Sequence, residues 1–179
     1  MPDEDERRVR FEQIFAQSYR PVRAYVIRRA PDGAVEDVLS EVFLVAWRRL
    51  DSIADDPLPW LFGVARRVLA NQFRSERRRG ALLDRLRLGT GFDDPGWQTP
   101  PALRSELAAA ISALSAPERE ALLLVAWEGL TAERAAQAVG CSASAFRVRL
   151  HRARRHVAAA LGDGSGRSRP NASIPEGAP

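Results

Sequence analysis

Lysine is absent from this chain of 179 residues, and all 27 basic residues are arginine. Every cationic side-chain contact to a partner is therefore left to guanidinium groups, whose planar fork suits phosphates and guanine edges. Cysteine occurs once, at Cys141, which excludes an internal disulfide framework and a cysteine-cluster metal site. Histidine occurs twice, at His151 and His156, far in sequence from the adjacent carboxylates Asp55-Asp56 and Asp93-Asp94. Neither a glycine-rich phosphate loop nor metal-ligand spacing is present. These gaps argue against catalysis, so no catalytic residue, cofactor, metal ion or small-molecule substrate is expected. Long apolar runs are lacking too. The longest strongly apolar one, Ala121 to Trp127, is far too short to span a bilayer. The chain opens on Met1-Pro2-Asp3-Glu4-Asp5-Glu6, unlike a secretory or transit segment. A soluble cytoplasmic protein with no membrane partner is the expectation.

What the chain does contain is helical periodicity. Apolar residues make up 45% of it and charged residues 28%, enough for a core beneath a solvated surface. Phe11, Ile14, Phe15 and Tyr19 recur at helical spacing. Pro21 interrupts or kinks that pattern, and Val22, Tyr25 and Val26 carry it on to Arg29. Pro31-Asp32-Gly33 reads as a turn. Val35, Val38, Leu39, Val42, Phe43, Ala46, Trp47 and Leu50 then form one apolar stripe, the clearest amphipathic helix of the chain. After a polar loop, Pro59 suits the first turn of a helix expected to end at Arg79. Its inner face is sketched by Leu61, Val64, Ala65, Val68, Leu69 and Phe73.

From Gly80 to Pro101 glycines and prolines break the pattern, as in an inter-domain linker. Leu82, Leu83, Leu86 and Leu88 could still dock somewhere. Leu103, Leu107, Ala110, Ile111 and Leu114 mark the next helix. The expected fold class is all-α, with two small helical domains over 6–79 and 102–161. Residues 80–101 would link them flexibly, and the Gly-, Ser- and Pro-rich tail 162–179 should be disordered.

The second half carries the sharper local signals. Ser115-Ala116-Pro117-Glu118 matches a capping box, with Glu118 placed to reach back to the Ser115 amide, and opens a helix expected to end at Gly129. Thr131 should cap a short helix that stops at Gly140, and Ser142 a longer one to about Leu161. A short helix, a glycine turn and a long basic helix make a helix-turn-helix. Small Ala135 permits close approach, with Val139, Phe146 and Leu150 between the helices. No acidic residue occurs from Gly140 to Gly162. At ~100° per residue, Phe146, Leu150 and Ala153 fall on one side of the last helix. Ser144, Val148, His151, Arg152 and Arg155 fall opposite, flanked by Arg147, Arg149 and Arg154. Such a helix fits a major groove and reads bases with its N-terminal residues. Ser144, Arg147, Val148 and Arg152 are the expected base contacts, and Arg149, Arg154 and Arg155 the expected phosphate contacts.

The segment Leu130 to Ser142, followed by Phe146 to Arg154, resembles region 4 of bacterial sigma factors of the small two-domain, extracytoplasmic-function type, in the sigma-70 family. Leu114 to Glu120 looks like the approach to that region. Independently, Val35 to Arg48 resembles region 2.2, and Pro59 to Arg66 the start of the helix that reads the −10 promoter element, with Arg74 to Arg79 as its basic end. The resemblance implies a sigma factor that directs RNA polymerase to promoters and helps open the −10 region. Region 4 would read the −35 element. On region 2, Phe62, Arg66, Arg67, Asn71, Arg74, Arg77 and Arg78 would meet −10 DNA, and the loop Ser52–Leu58 would cradle a flipped base. Of the aromatics there, Trp60 and Phe73 are spaced as core residues and Phe62 is the best stacking candidate. Asp37, Ser40, Glu41 and Arg48 would contact the polymerase β′ subunit; by charge pattern alone they are ordinary solvated residues. The resemblance further implies core polymerase (β′ and β subunits), promoter DNA and an anti-sigma factor as partners. Four positions depart from the family pattern, where Ser40 replaces Gln, Arg67 Asn, Asn71 Asp, and Arg134 an aliphatic residue. Competing readings are a conventional helix-turn-helix regulator that ignores core polymerase, and an RNA-binding antiterminator.

Overall fold

The computed structural model describes residues 4–31, 33–84 and 105–164, with side-chain burial for 4–31, 33–75 and 106–162. Seven α-helices and one 3₁₀ turn, Leu50–Ser52, make up the described structure, with no strand among these residues. The helices are α1 (Glu4–Ile27), α2 (Val35–Arg48), α3 (Leu58–Asp84), α4 (Ser105–Ser112), α5 (Ala116–Ala126), α6 (Ala132–Val139) and α7 (Ala143–Gly164).

Helix α1 runs unbroken through Pro21. Proline removes one backbone donor and crowds the preceding turn. Burial of Ile14, Ser18, Val22, Tyr25 and Val26 along one face keeps the helix continuous across that gap. A turn closes after it, with Ala34 N–H donating to the Pro31 carbonyl at 3.1 Å and Gly33 at φ 80. The stripe of α2 then packs on α1, and Val38, Val42 and Ala46 are wholly buried. Each such valine contributes ~1.5–3 kcal/mol relative to exposure. Along the α1–α2 seam Phe15 meets Phe43 at 4.7 Å between centroids, and Phe11 meets Trp47 edge-on at 5.3 Å. Leu61, Ala65 and Leu69 of α3 close this first unit.

Helices α4 to α7 form the second unit. Buried Arg119 of α5 serves the end of α4. It donates to the carbonyls of Ile111, Ser112 and Leu114 at 3.1, 2.8 and 2.9 Å, oxygens that a helix end leaves without intrahelical partners. Ala135, Phe146 and Ala153 are fully buried where α6 and α5 pack on α7.

The two units are not separate beads. One apolar core runs from Ile14 through to Leu150, and α3 packs along α6. Two boundaries also differ from the sequence expectation. Helix α3 continues through Gly80 to Asp84, past the expected end at Arg79, so the start of the supposed linker is helical. Helix α7 reaches Gly164 rather than Leu161. A single glycine near a helix end costs only about 1 kcal/mol, too little to stop a long helix. The rest of the expected linker, 85–101, and the expected disordered tail from residue 165 onward lie outside the described residues.

Candidate nucleic-acid interface

The helix-turn-helix assembles from local chemistry. Thr131 caps α6, its hydroxyl accepting from the Arg134 amide at 3.3 Å. Gly140 ends α6 in the left-handed region at φ 74. There its N–H reaches the Gln137 carbonyl at 3.2 Å, and Cys141 N–H reaches Ala136 at 3.0 Å. Both bonds satisfy carbonyls that the helix end would otherwise leave open, and glycine takes this conformation without steric cost. Ser142 opens α7 by accepting from the Ala145 amide at 3.2 Å. Helix α5 ends at Ala126, before the expected Gly129, which takes φ 66 in the turn that follows.

Packing then sets the orientation of α7. Phe146, Leu150 and Ala153 face the core, leaving Ser144, Arg147, Val148, Arg152, Arg154 and Arg155 exposed and Arg149 half-buried. Val148, 53% exposed, is the apolar member of that face. The Arg147 guanidinium bonds Glu133 of α6, which ties the two helices of the motif together. Glu133 lies below the ordinary glutamate value, through hydrogen bonds from its own backbone amide, from Arg147 and from Thr131.

On the first unit, Asp37, Ser40, Glu41 and Arg48 all lie exposed on one face of α2. Leu44 stands among them, 41% exposed. The sequence reading passed over it because the core stripe of α2 is complete without it. On α3, Arg66, Arg67, Asn71 and Arg74 are exposed, and Arg74 donates to the Asn71 side-chain oxygen at 2.6 Å. The side chains of Arg77 and Arg78 lie outside the described residues.

Phe62 is a correction. It is 1% exposed and stacks on Tyr25 at 5.0 Å between centroids, so it offers no face to a base. Its place on the inner side of α3, beside Leu61 and Ala65, gains more from burial than an exposed ring would. Trp60 and Phe73 pack half-buried against the core, as their spacing predicts. The loop before α3 is anchored, with Arg10 donating to the Ile53 carbonyl at 2.6 Å and Asp56 accepting from Arg134 at 2.7 Å. Arg134, the departure on α6, thus packs by bridging the two units. No group of three or more His, Cys, Asp or Glu residues suited to a metal occurs among the described residues. No helix among them is long and apolar enough to cross a membrane.

Helix α3 and the turn between α6 and α7 border one groove of about 790 Å³. Arg66, Arg67, Asn71 and Arg74 line one wall, and Gly140, Cys141 and Arg149 line the other.

An all-helical pair of units, one carrying a capped helix-turn-helix, marks a DNA-binding class of protein, and comparison with known proteins makes the class specific. The family model for sigma-70 region 2 matches residues 14–79, and that for sigma-70 region 4 matches 104–157. The RNA polymerase sigma factor CnrH of Cupriavidus metallidurans is 32% identical over 143 residues, covering 73% of this chain and 75% of that protein. The ECF RNA polymerase sigma factor EcfG of Rhodopseudomonas palustris is also 32% identical over 143 residues, covering 78% of each. Among solved structures, CnrH in complex with the cytosolic domain of CnrY aligns with TM-score 0.57 at 26% identity, over 86% of this chain and 88% of that one. The sigma factor RpoE bound to the anti-sigma factor NepR, from Bartonella quintana, shares the fold with TM-score 0.63 at 24% identity, over 85% and 96% of the two chains. The chain belongs to the extracytoplasmic-function sigma factors of the sigma-70 family. It is a promoter-specific transcription initiation factor, and the standalone-regulator reading falls with the region 2 match.

Proposed function

We propose that α2 docks on core polymerase through Asp37, Ser40, Glu41 and Arg48, with Leu44 as the apolar centre of that contact. Helix α3 holds −10 DNA through Arg66, Arg67, Asn71 and Arg74, extended by Arg77 and Arg78. Helix α7 enters the major groove at the −35 element, with Ser144, Arg147, Val148 and Arg152 toward bases and Arg149, Arg154 and Arg155 toward phosphates. The observation that carries this is the exposed face of α7, arginine-rich and without an acid up to Gly162, behind a glycine turn that fixes its angle. Duplex opening here is binding work. No bond in the DNA is made or broken by this chain, so no catalytic group, cofactor or metal is needed, and its place is the cytoplasm with the polymerase. The relative CnrH is held by the cytosolic domain of CnrY, and by analogy an anti-sigma protein restrains this chain.

The test is run-off transcription with bacterial core polymerase on templates randomised at −35 and −10. Specific transcripts that require this protein are the expected result and define both elements. Binding to duplex DNA without binding to core polymerase would refute it.

A further inference from the structure

The reading face of α7 is touched by an acid from the helix before it. Glu133 lies in the first turn of α6, and Arg147 follows 14 residues later on the exposed face of α7. Arg147 Nη2 donates to Glu133 Oε1. The Glu133 carboxylate also accepts from its own backbone amide and from the Thr131 hydroxyl. That hydroxyl in turn accepts from the Arg134 amide at 3.3 Å. One hydroxyl can do both, since it carries one donor and two acceptor sites. The backbones beneath are fixed, with Ala135 of α6 and Phe146, the neighbour of Arg147, fully buried. The two charged side chains stay open to solvent, Arg147 59% and Glu133 55% exposed. An ion pair so exposed adds little to stability. Its effect is on where the guanidinium points.

We propose that Glu133 is a positioning residue for base reading, which holds the Arg147 fork ready for a base edge and keeps it off the phosphates. The inference rests on the reading of Arg147 as a base contact. An arginine on such a face has two kinds of target. Phosphates attract it at any sequence, whereas a guanine edge needs two donors in one fixed geometry. Held by Glu133, Arg147 gives up rotamers before DNA arrives, so less ordering is left to the moment of binding. The guanidinium has five N–H donors, and the bond to Glu133 leaves enough of them for a two-donor contact. The pair is neutral as a whole, so Arg147 gains little by sliding to a phosphate, and Glu133 is repelled by one. The acid therefore weakens binding to every sequence and sharpens the choice between them.

The test uses holoenzyme reconstituted with bacterial core polymerase, bound to promoter duplexes randomised at −35. The parent is compared with Glu133→Gln, Arg147→Ala and Glu133→Gln/Arg147→Ala. Glu133→Gln should flatten base preference about threefold to tenfold at the position that Arg147→Ala flattens, a share of what a bidentate arginine–guanine contact discriminates. It should also bind mismatched duplexes more tightly and steepen the salt slope by up to about one, as the freed guanidinium takes a phosphate. The double variant should be no flatter than Arg147→Ala alone. Equal weakening at all sequences, with the preference kept, would make Glu133 a mere tie between helices and overturn the proposal. Flattening at another position that persists without Arg147 would overturn it too, as the mark of Glu133 itself accepting from a cytosine. So would a Glu133→Gln protein indistinguishable from the parent. If Arg147→Ala flattens no position, the base reading of Arg147 falls, and this inference with it. Should Glu133→Gln fail to fold, Glu133→Asp, one methylene shorter, decides by preference at the same position.

Discussion

Gly63 of α3 lies so close to Ala138 of α6 that a methyl group on its α-carbon would meet the Ala138 carbonyl oxygen at 2.9 Å. The neighbour is backbone and cannot rotate away. Gly63→Ala should therefore loosen the packing of α3 on α6, with a strain of about 1–3 kcal/mol set against a helix-propensity gain of up to about 1 kcal/mol. Urea unfolding of the Gly63→Ala protein should show a net loss of stability.

Arg119 gives a second prediction. Its buried fork serves three carbonyls at the end of α4, and a hydrogen bond from a charged donor contributes about 1.5–3 kcal/mol. Arg119→Met should destabilise the fold by roughly 2–4 kcal/mol, since the three bonds share one group. Amide exchange should accelerate first in 106–114. Arg119→Lys should recover only part of the loss, because a single ammonium cannot span all three oxygens.

The capping box of α5 predicts a pH dependence. Glu118 accepts from the Ser115 hydroxyl at 2.7 Å and from its amide at 3.3 Å. The hydroxyl bond is the main reason its carboxyl lies below the ordinary glutamate value, with His156 of α7 also in contact at 3.3 Å. A lowered carboxylate stabilises the fold at pH above its unfolded value, and that contribution is lost as pH falls through the lower folded value. The stability difference between the parent and Glu118→Gln should be level toward neutral pH and shrink in acid. A difference that grew on acidification would contradict the assignment.

On the DNA side, Arg147 and Arg155 should behave differently. Arg147→Ala should cost about 1–3 kcal/mol and relax selectivity at one −35 position. Arg155→Ala should weaken all sequences alike and lower the salt slope of binding by about one. Binding titrations against matched and mutated −35 duplexes at several salt concentrations separate the two patterns.

The helix-turn-helix was legible in the sequence because its determinants are local. Thr131, Gly140 and Ser142 each act within a few residues, and the buried face of α7 follows from helical periodicity alone. Pro21 does not end α1, because a local penalty lost to the apolar face that Ile14, Val22 and Val26 bury together. Phe62 misled because its destination depends on Tyr25, a neighbour the chain reaches only by folding back. The buried ion pairs that Arg28 and Arg29, after α1, make with Glu120 and Glu128, on and after α5, left no trace in sequence at all. Their members are ordinary charges at helix ends until two units meet, and no periodicity links positions so far apart.

Arg28 lies over the ring of Trp127 at 5.5 Å, one residue from each unit. Indole emission shifts with a nearby charge and with access to water, and parting the units changes both at once. A variant that keeps Trp127 as its sole tryptophan of the four would thus carry an optical gauge of that seam, readable without any dye.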